Sequence, residues 1–126
     1  SQLTQWPIQM HLINPEASYF NNQDILIAAD CSAFSYGNFH NDYIKNKKTI
    51  IACPKLDSGL DIYKEKIIRL ITKANINTIA VVMMEVPCCG GLQQLVTRAV
   101  EESGKKIPVK AIIISVKGEK TREEWI

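Results

Sequence analysis

No apolar run in this chain approaches the roughly 20 residues needed to cross a bilayer; the longest uncharged stretches, such as Ile79 to Met84, have only the length of a strand. A membrane-spanning role is not expected. The opening Ser-Gln-Leu-Thr-Gln-Trp-Pro has neither the charged start nor the apolar core of a secretory signal, so a cytoplasmic protein is the expectation. The chain also begins without Met, which reads as a processed chain or an excised piece of a longer one. A strong charge bias is missing too: fifteen basic and thirteen acidic side chains leave +2. The densest basic group, Lys45, Lys47 and Lys48, reads as a solvated helix end before a strand, and a nucleic-acid partner is not expected. There is no Ser/His/Asp set, no Gly-x-Gly-x-x-Gly and no P-loop, which removes support for conventional hydrolase or nucleotide chemistry. Internal repeats and low-complexity tracts are absent as well.

What remains is an ordinary globular composition, 46% apolar and 22% charged over 126 residues, enough for one domain with its own core. Four near-continuous apolar runs have strand length: Ile25 to Ala29, Thr49 to Ala52, Thr78 to Met84 and Ala111 to Val116. Such runs suit parallel strands covered on both faces. The intervals between them are long enough for crossover helices. Leu60, Tyr63, Ile67, Leu70 and Ile71 recur at helical spacing between Ser58 and Lys73, continued by Ala74, with Glu65 and Arg69 set for an exposed ion pair. Leu92, Leu95, Val96, Ala99 and Val100 predict a second helix from Gly91 to Ser103, with Gly104 as its C-terminal left-handed residue.

Residues Ser35 to Lys45 carry a weaker helical signal, with Phe39 and Tyr43 facing the core one turn apart. Asn14-Pro15 marks the start of a short helical or turn connection. Ile8 to Ile13 alternates and reads as a fifth, edge strand, while the charged tail 117–126 is expected to fray apart from Trp125. The expected fold is a single doubly wound, flavodoxin-like α/β domain over residues 1–126, with a mainly parallel four- or five-stranded sheet and helices on both faces.

All four cysteines follow predicted strands: Cys31, Cys53 and the adjacent pair Cys88-Cys89. A parallel sheet delivers its carboxyl ends to one edge, where ligand sites form, so these thiols are expected to meet there. Without signs of secretion, metal binding or redox chemistry is favoured over a disulfide framework. Zinc knuckles usually carry Cys-x-x-Cys, and nothing here has that spacing. Adjacent cysteines fit poorly on one small tetrahedral ion, whereas a [4Fe-4S] cluster offers separate iron corners if Gly90-Gly91 lets the backbone turn sharply. Cys31, Cys53, Cys88 and Cys89 are therefore the candidate ligands, with zinc as the alternative metal.

Lys55 supplies a positive charge near Cys53, and Gly90 and Gly91 open a helix whose N–H groups suit an anion. His40 is placed near enough in sequence to approach the site. Asp30 and Glu85 are expected as solvated carboxylates capping loops, and His11 as a polar-face residue without a partner. A thiol/disulfide redox site on Cys88-Cys89, with Cys31 or Cys53 resolving, and a structural docking domain stand as alternatives.

Ala-Ala-Asp-Cys-Ser-Ala-Phe (Ala28 to Phe34), Asn38-Phe39-His40, Ala-Cys-Pro-Lys-Leu-Asp (Ala52 to Asp57) and Met-Glu-Val-Pro-Cys-Cys-Gly-Gly (Met84 to Gly91), together with Trp6-Pro7, carry a likeness over nearly the whole chain. The sequence resembles the C-terminal domain of small anaerobe 4Fe-4S ferredoxin-type iron-sulfur binding proteins. That resemblance implies electron transport under anaerobic conditions, a redox partner protein or fused ferredoxin domain, and a chain that is the C-terminal part of a longer ferredoxin-containing protein. A homodimer sharing the site is also left open. A more distant likeness, of site design alone, links the tandem cysteines to the cluster-bearing subunit of respiratory NADH:quinone oxidoreductase.

Overall fold

Asp24–Ala29 (β1) reads Asp-Ile-Leu-Ile-Ala-Ala, and every residue after the aspartate is buried. A strand apolar on both faces needs cover on both. In the computed structural model, which describes residues 1–87 and 90–126, β1 lies between β2 (Lys48–Ala52) and β3 (Thr78–Met84) and runs parallel to each. β4 (Val109–Ile114) continues the parallel sheet beside β3, and β5 (Lys120–Trp125) adds an antiparallel edge, giving the order β2-β1-β3-β4-β5. This is the doubly wound α/β arrangement expected of the apolar runs.

Leu60–Thr72 (α2) and Gly90–Ser103 (α3) cross over on one face and pack on each other. Tyr63, Ile67, Leu70 and Ile71 of α2, and Leu92, Leu95, Val96 and Ala99 of α3, are buried, as their spacing predicts. Gly104, at φ +73°, ends α3 as expected. Arg69, however, pairs with Glu16 across the loop and not with Glu65 one turn away. The other face is covered more thinly, by α1 (Ser32–Ser35) and a five-residue π-helix, His40–Ile44, which replace the longer helix foreseen over Ser35 to Lys45. Phe39 and Tyr43 do reach the core, their rings 5.4 Å apart.

Two expectations at the sheet edges fail for identifiable reasons. Ile8 to Ile13 does not form a strand: only Gln9 bridges Ile51, with Ile51 donating to the Ile8 carbonyl at 2.8 Å and Met10 to the Ile51 carbonyl at 3.0 Å. Beyond that point Leu12 and Ile13 donate back to the Gln9 carbonyl at 2.8 and 3.2 Å, closing a turn, and the Lys66 ammonium donates to the carbonyls of Met10, His11 and Ile13 at 2.9, 2.8 and 2.9 Å. Further up the same edge, the Gln5 side-chain amide donates to the Thr49 carbonyl and accepts from its N–H, standing in for a strand.

The tail is the second correction. Ser115 donates to the Glu119 carbonyl at 2.8 Å and Gly118 to that of Ser115 at 2.9 Å, so the chain reverses and returns as β5 instead of fraying. Glu123 lies 3.3 Å from Lys110 and 3.1 Å from Lys120, and Trp125 docks with its ring centroid 4.7 Å from the Lys110 ammonium. These polar and aromatic contacts leave no apolar alternation to read in the sequence.

Gly118 is required where this hairpin meets α1. At φ +83°, a β-carbon there would lie 2.4 Å from the Ser35 carbonyl oxygen. Gly118→Ala is expected to destabilise the domain by about 2 kcal/mol or more, read by urea denaturation.

Candidate cysteine site at the carboxyl edge of the sheet

Register levels the strand ends. Ala29 is paired with Ala52, and Asp30 donates its N–H to the Ala52 carbonyl at 3.1 Å, so Cys31 and Cys53 leave neighbouring strands at the same edge. The winding reverses between β1 and β3, which makes this edge the switch point of the sheet. Cys31, at the start of α1, is exposed, Cys53 is half-buried, and both are free thiols. Cys88 and Cys89, between Pro87 and Gly90 in sequence, lie outside the described residues. Among the described residues, no three metal-ligating side chains converge, so a complete ligand set requires that pair.

The loop after Cys53 reaches toward the start of α3. A β-carbon added to Gly91 would sit 3.4 Å from Cβ of Pro54, which places the residue following Cys53 against the first turn of the helix that follows Cys88-Cys89. Lys55 is exposed in that loop. His40 is elsewhere: its Nδ1 accepts from the Gln2 N–H at 3.1 Å. Gln2 belongs to a segment whose Thr4 and Gln5 meet Lys48 and Thr49, the first residues of β2, so His40 stands toward the amino edge and is not part of the cysteine site.

A polar network missed in the sequence organises the Cys53 loop. Asp57 Oδ2 accepts from the Cys53 N–H at 3.0 Å, the Tyr63 hydroxyl at 2.6 Å and the Gln9 amide at 3.2 Å, while the Asp57 N–H donates to the Cys53 carbonyl at 2.8 Å. Burial, reinforced by the hydrogen bond to Asp57, pushes the Tyr63 pKa up to about 12. His11 is not partnerless: its ring packs edge-on to Tyr63 with centroids 4.4 Å apart, and its Nε2 lies 2.7 Å from the Ser58 carbonyl. The one sequence signal for this arrangement is an Asp four residues after Cys53 and just before α2, since a short acidic side chain there can close a turn onto its own backbone.

Glu85 caps a loop as expected, accepting from the Val116 N–H at 3.1 Å. Asp30 differs from the solvated carboxylate foreseen. Its Oδ1 is buried without a hydrogen-bond partner, and burial, with the charge of Asp57 adding to it, raises its pKa above the usual 3.8.

The chain belongs to the Rossmann-like domain family, whose model matches residues 17–125. It is similar to an uncharacterized protein of Archaeoglobus fulgidus, 32% identical over 117 residues that cover 93% of this chain and 81% of the relative. No solved structure matches. No ferredoxin or 4Fe-4S family is found, and the resemblance to the ferredoxin-type iron-sulfur binding proteins is thereby corrected. The short motifs that suggested it, Cys, Pro and Gly at strand ends, are ones that a parallel sheet places in its loops whatever the family. No described helix is long and apolar enough to cross a membrane.

Tyr63 is fully buried, so Tyr63→Phe removes a hydrogen bond to a carboxylate with no water to replace it. A loss of about 2 kcal/mol is expected in urea denaturation, together with faster alkylation of Cys53, but not of Cys31, followed by mass spectrometry. Asp30 gives a pH signature of defined sign. The folded protein holds this proton more tightly than the unfolded chain does, so the contribution of Asp30 is full below 3.8 and is lost as pH rises through the raised folded value. Asp30→Asn should therefore match the parent below pH 3.8 and gain stability relative to it as pH rises above 3.8, as measured by parallel denaturation series.

Proposed function

We propose that this chain is an iron-sulfur electron-transfer domain that holds one [4Fe-4S] cluster on Cys31, Cys53, Cys88 and Cys89. The observation that carries the reading is the contact of the Cys53 loop with the start of α3, beside the strand that presents Cys31. Three strand ends that bear all the cysteines of the chain thus supply loops to one edge. The chemistry of the donor set fits: two free thiols at unequal depth just past the ends of neighbouring strands, and an adjacent pair that suits separate irons better than one small ion. When bound, such a cluster supplies one-electron transfer, tuned by charge, hydrogen bonding and exposure.

Each surrounding residue has a part in that reading. Asp57, held by Tyr63 and Gln9, fixes the backbone of Cys53. Lys55 offsets negative charge at the edge, and the N–H groups of Gly90 and Gly91 open α3 toward it. The exposed Cys31 side leaves a route to a redox partner protein.

Anaerobic reconstitution with iron and sulfide is expected to give a broad absorbance at about 400 nm and about four irons per chain, with Cys31→Ser and Cys53→Ser each lowering iron retention several-fold. Protein that stays free of iron under those conditions overturns the proposal. Stoichiometric zinc in its place would assign a zinc site, and a reversible Cys88-Cys89 disulfide in metal-free protein would assign thiol redox chemistry.

A further inference from the structure

The two edges of the sheet are finished differently. At β2 the outer backbone is covered by the Gln5 amide and the Ile8–Met10 bridge. At β5 every residue from Lys120 to Trp125 is exposed, and among the described residues no segment pairs with its outer side. Ile126 donates to the Val109 carbonyl at 2.9 Å, so by alternation the backbone groups of Glu124 and Arg122 also face β4, and the N–H and C=O groups of Glu123 and Trp125 point outward. An open six-residue edge of this kind is a template for another strand.

Its charge order selects the partner. β5 runs Lys-Thr-Arg-Glu-Glu-Trp, basic first and acidic second, so an antiparallel copy of itself sets basic against acidic. We propose that β5 is an interface for a second copy of this chain, paired antiparallel about a twofold axis through Glu123 so that the two sheets become one continuous sheet. Within one protomer Arg122 already pairs with Glu124 two residues on; in that register each also faces the other's copy, so two arginines and two glutamates alternate around the axis, and Thr121 faces Trp125. Glu123 meets its own copy on the axis, where Lys110 and Lys120 already neutralise each carboxylate within its protomer. Trp125 and Ile126, 59% and 52% exposed, gain cover. The contact is small, so a weak, concentration-dependent dimer is expected. Because the two copies run antiparallel, their cysteine edges point in opposite directions and stay open, and the proposal is independent of what the cysteines hold.

Sedimentation equilibrium and small-angle scattering over a concentration series test this pairing. The parent chain should approach twice the monomer mass at high concentration, with scattering that fits an end-to-end extended sheet. Arg122→Glu makes the strand wholly acidic at the paired positions, and Glu124→Arg makes it wholly basic; each alone should weaken dimerisation about tenfold or more. An equimolar mixture of the two single variants should recover a heterodimer, because each pairing of position 122 with position 124 across the axis then joins an acidic side chain to a basic one. Circular dichroism and thermal melts of each variant establish that it is folded; should either fail to fold, Arg122→Gln against Glu124→Gln supplies the milder pair. A parent chain that is monomeric throughout overturns the proposal, as does a dimer indifferent to both substitutions or variants that remain monomeric when mixed.

Discussion

Leu26 stands opposite Thr49 on one side and Ala80 on the other, and the geometry of the carboxyl edge follows from that double pairing. Strand side chains alternate, so a slip of one residue would turn the buried face of β1 outward and shift Cys31 relative to its neighbours by a full residue. What prevents the slip is that β1 carries apolar side chains on both faces, each filling space against a different helical layer. The same burial that makes the core therefore makes the strand ends level. A site assembled from several strand ends needs no dedicated scaffold under such a constraint, only loops that begin where the strands stop.

Those loops are not equivalent. The one after β1 rises at once into a four-residue helix, whereas the one after β2 is closed on itself by Asp57 before α2 begins. Cys53 sits on a loop whose backbone hydrogen bonds are tied to a buried tyrosine, while Cys31 sits at an exposed helix start. Two chemically identical side chains at one edge thus differ in exposure and in what holds their backbone, Asp57 at Cys53 and Ser35 at Cys31.

The parallel strands, α2 and α3 were legible because a covered strand and an amphipathic helix each leave a periodic apolar signature, seen in Ile25 to Ala29 and in Tyr63, Ile67 and Leu70. β5 was illegible because its side chains are charged on both faces and its order comes from Glu123, Lys110 and Trp125, which meet only after the chain reverses. Ile8 to Ile13 failed the other way: the alternation was present, but Leu12 and Ile13 turn back onto the Gln9 carbonyl, and Lys66, more than fifty positions later, takes the carbonyls of the turn. At the site, the placement of Cys31 and Cys53 at one edge followed from the strand pattern alone. The Asp57–Tyr63–Gln9 network did not, because it joins three segments whose proximity is a product of tertiary packing.

The lysine clasp on the N-terminal segment has a consequence for where the folding unit ends. The family match begins at residue 17, yet Met10 and Ile13 belong to the buried core, Gln5 seals the edge of β2, and Gln9 reaches the carboxylate behind Cys53. A family model marks the segment common to many chains; hydrogen bonds and burial mark what must fold together. In this chain the second boundary lies outside the family match, and a fragment trimmed to residues 17–125 would bare a hydrophobic strand edge and unmoor the loop that carries Cys53.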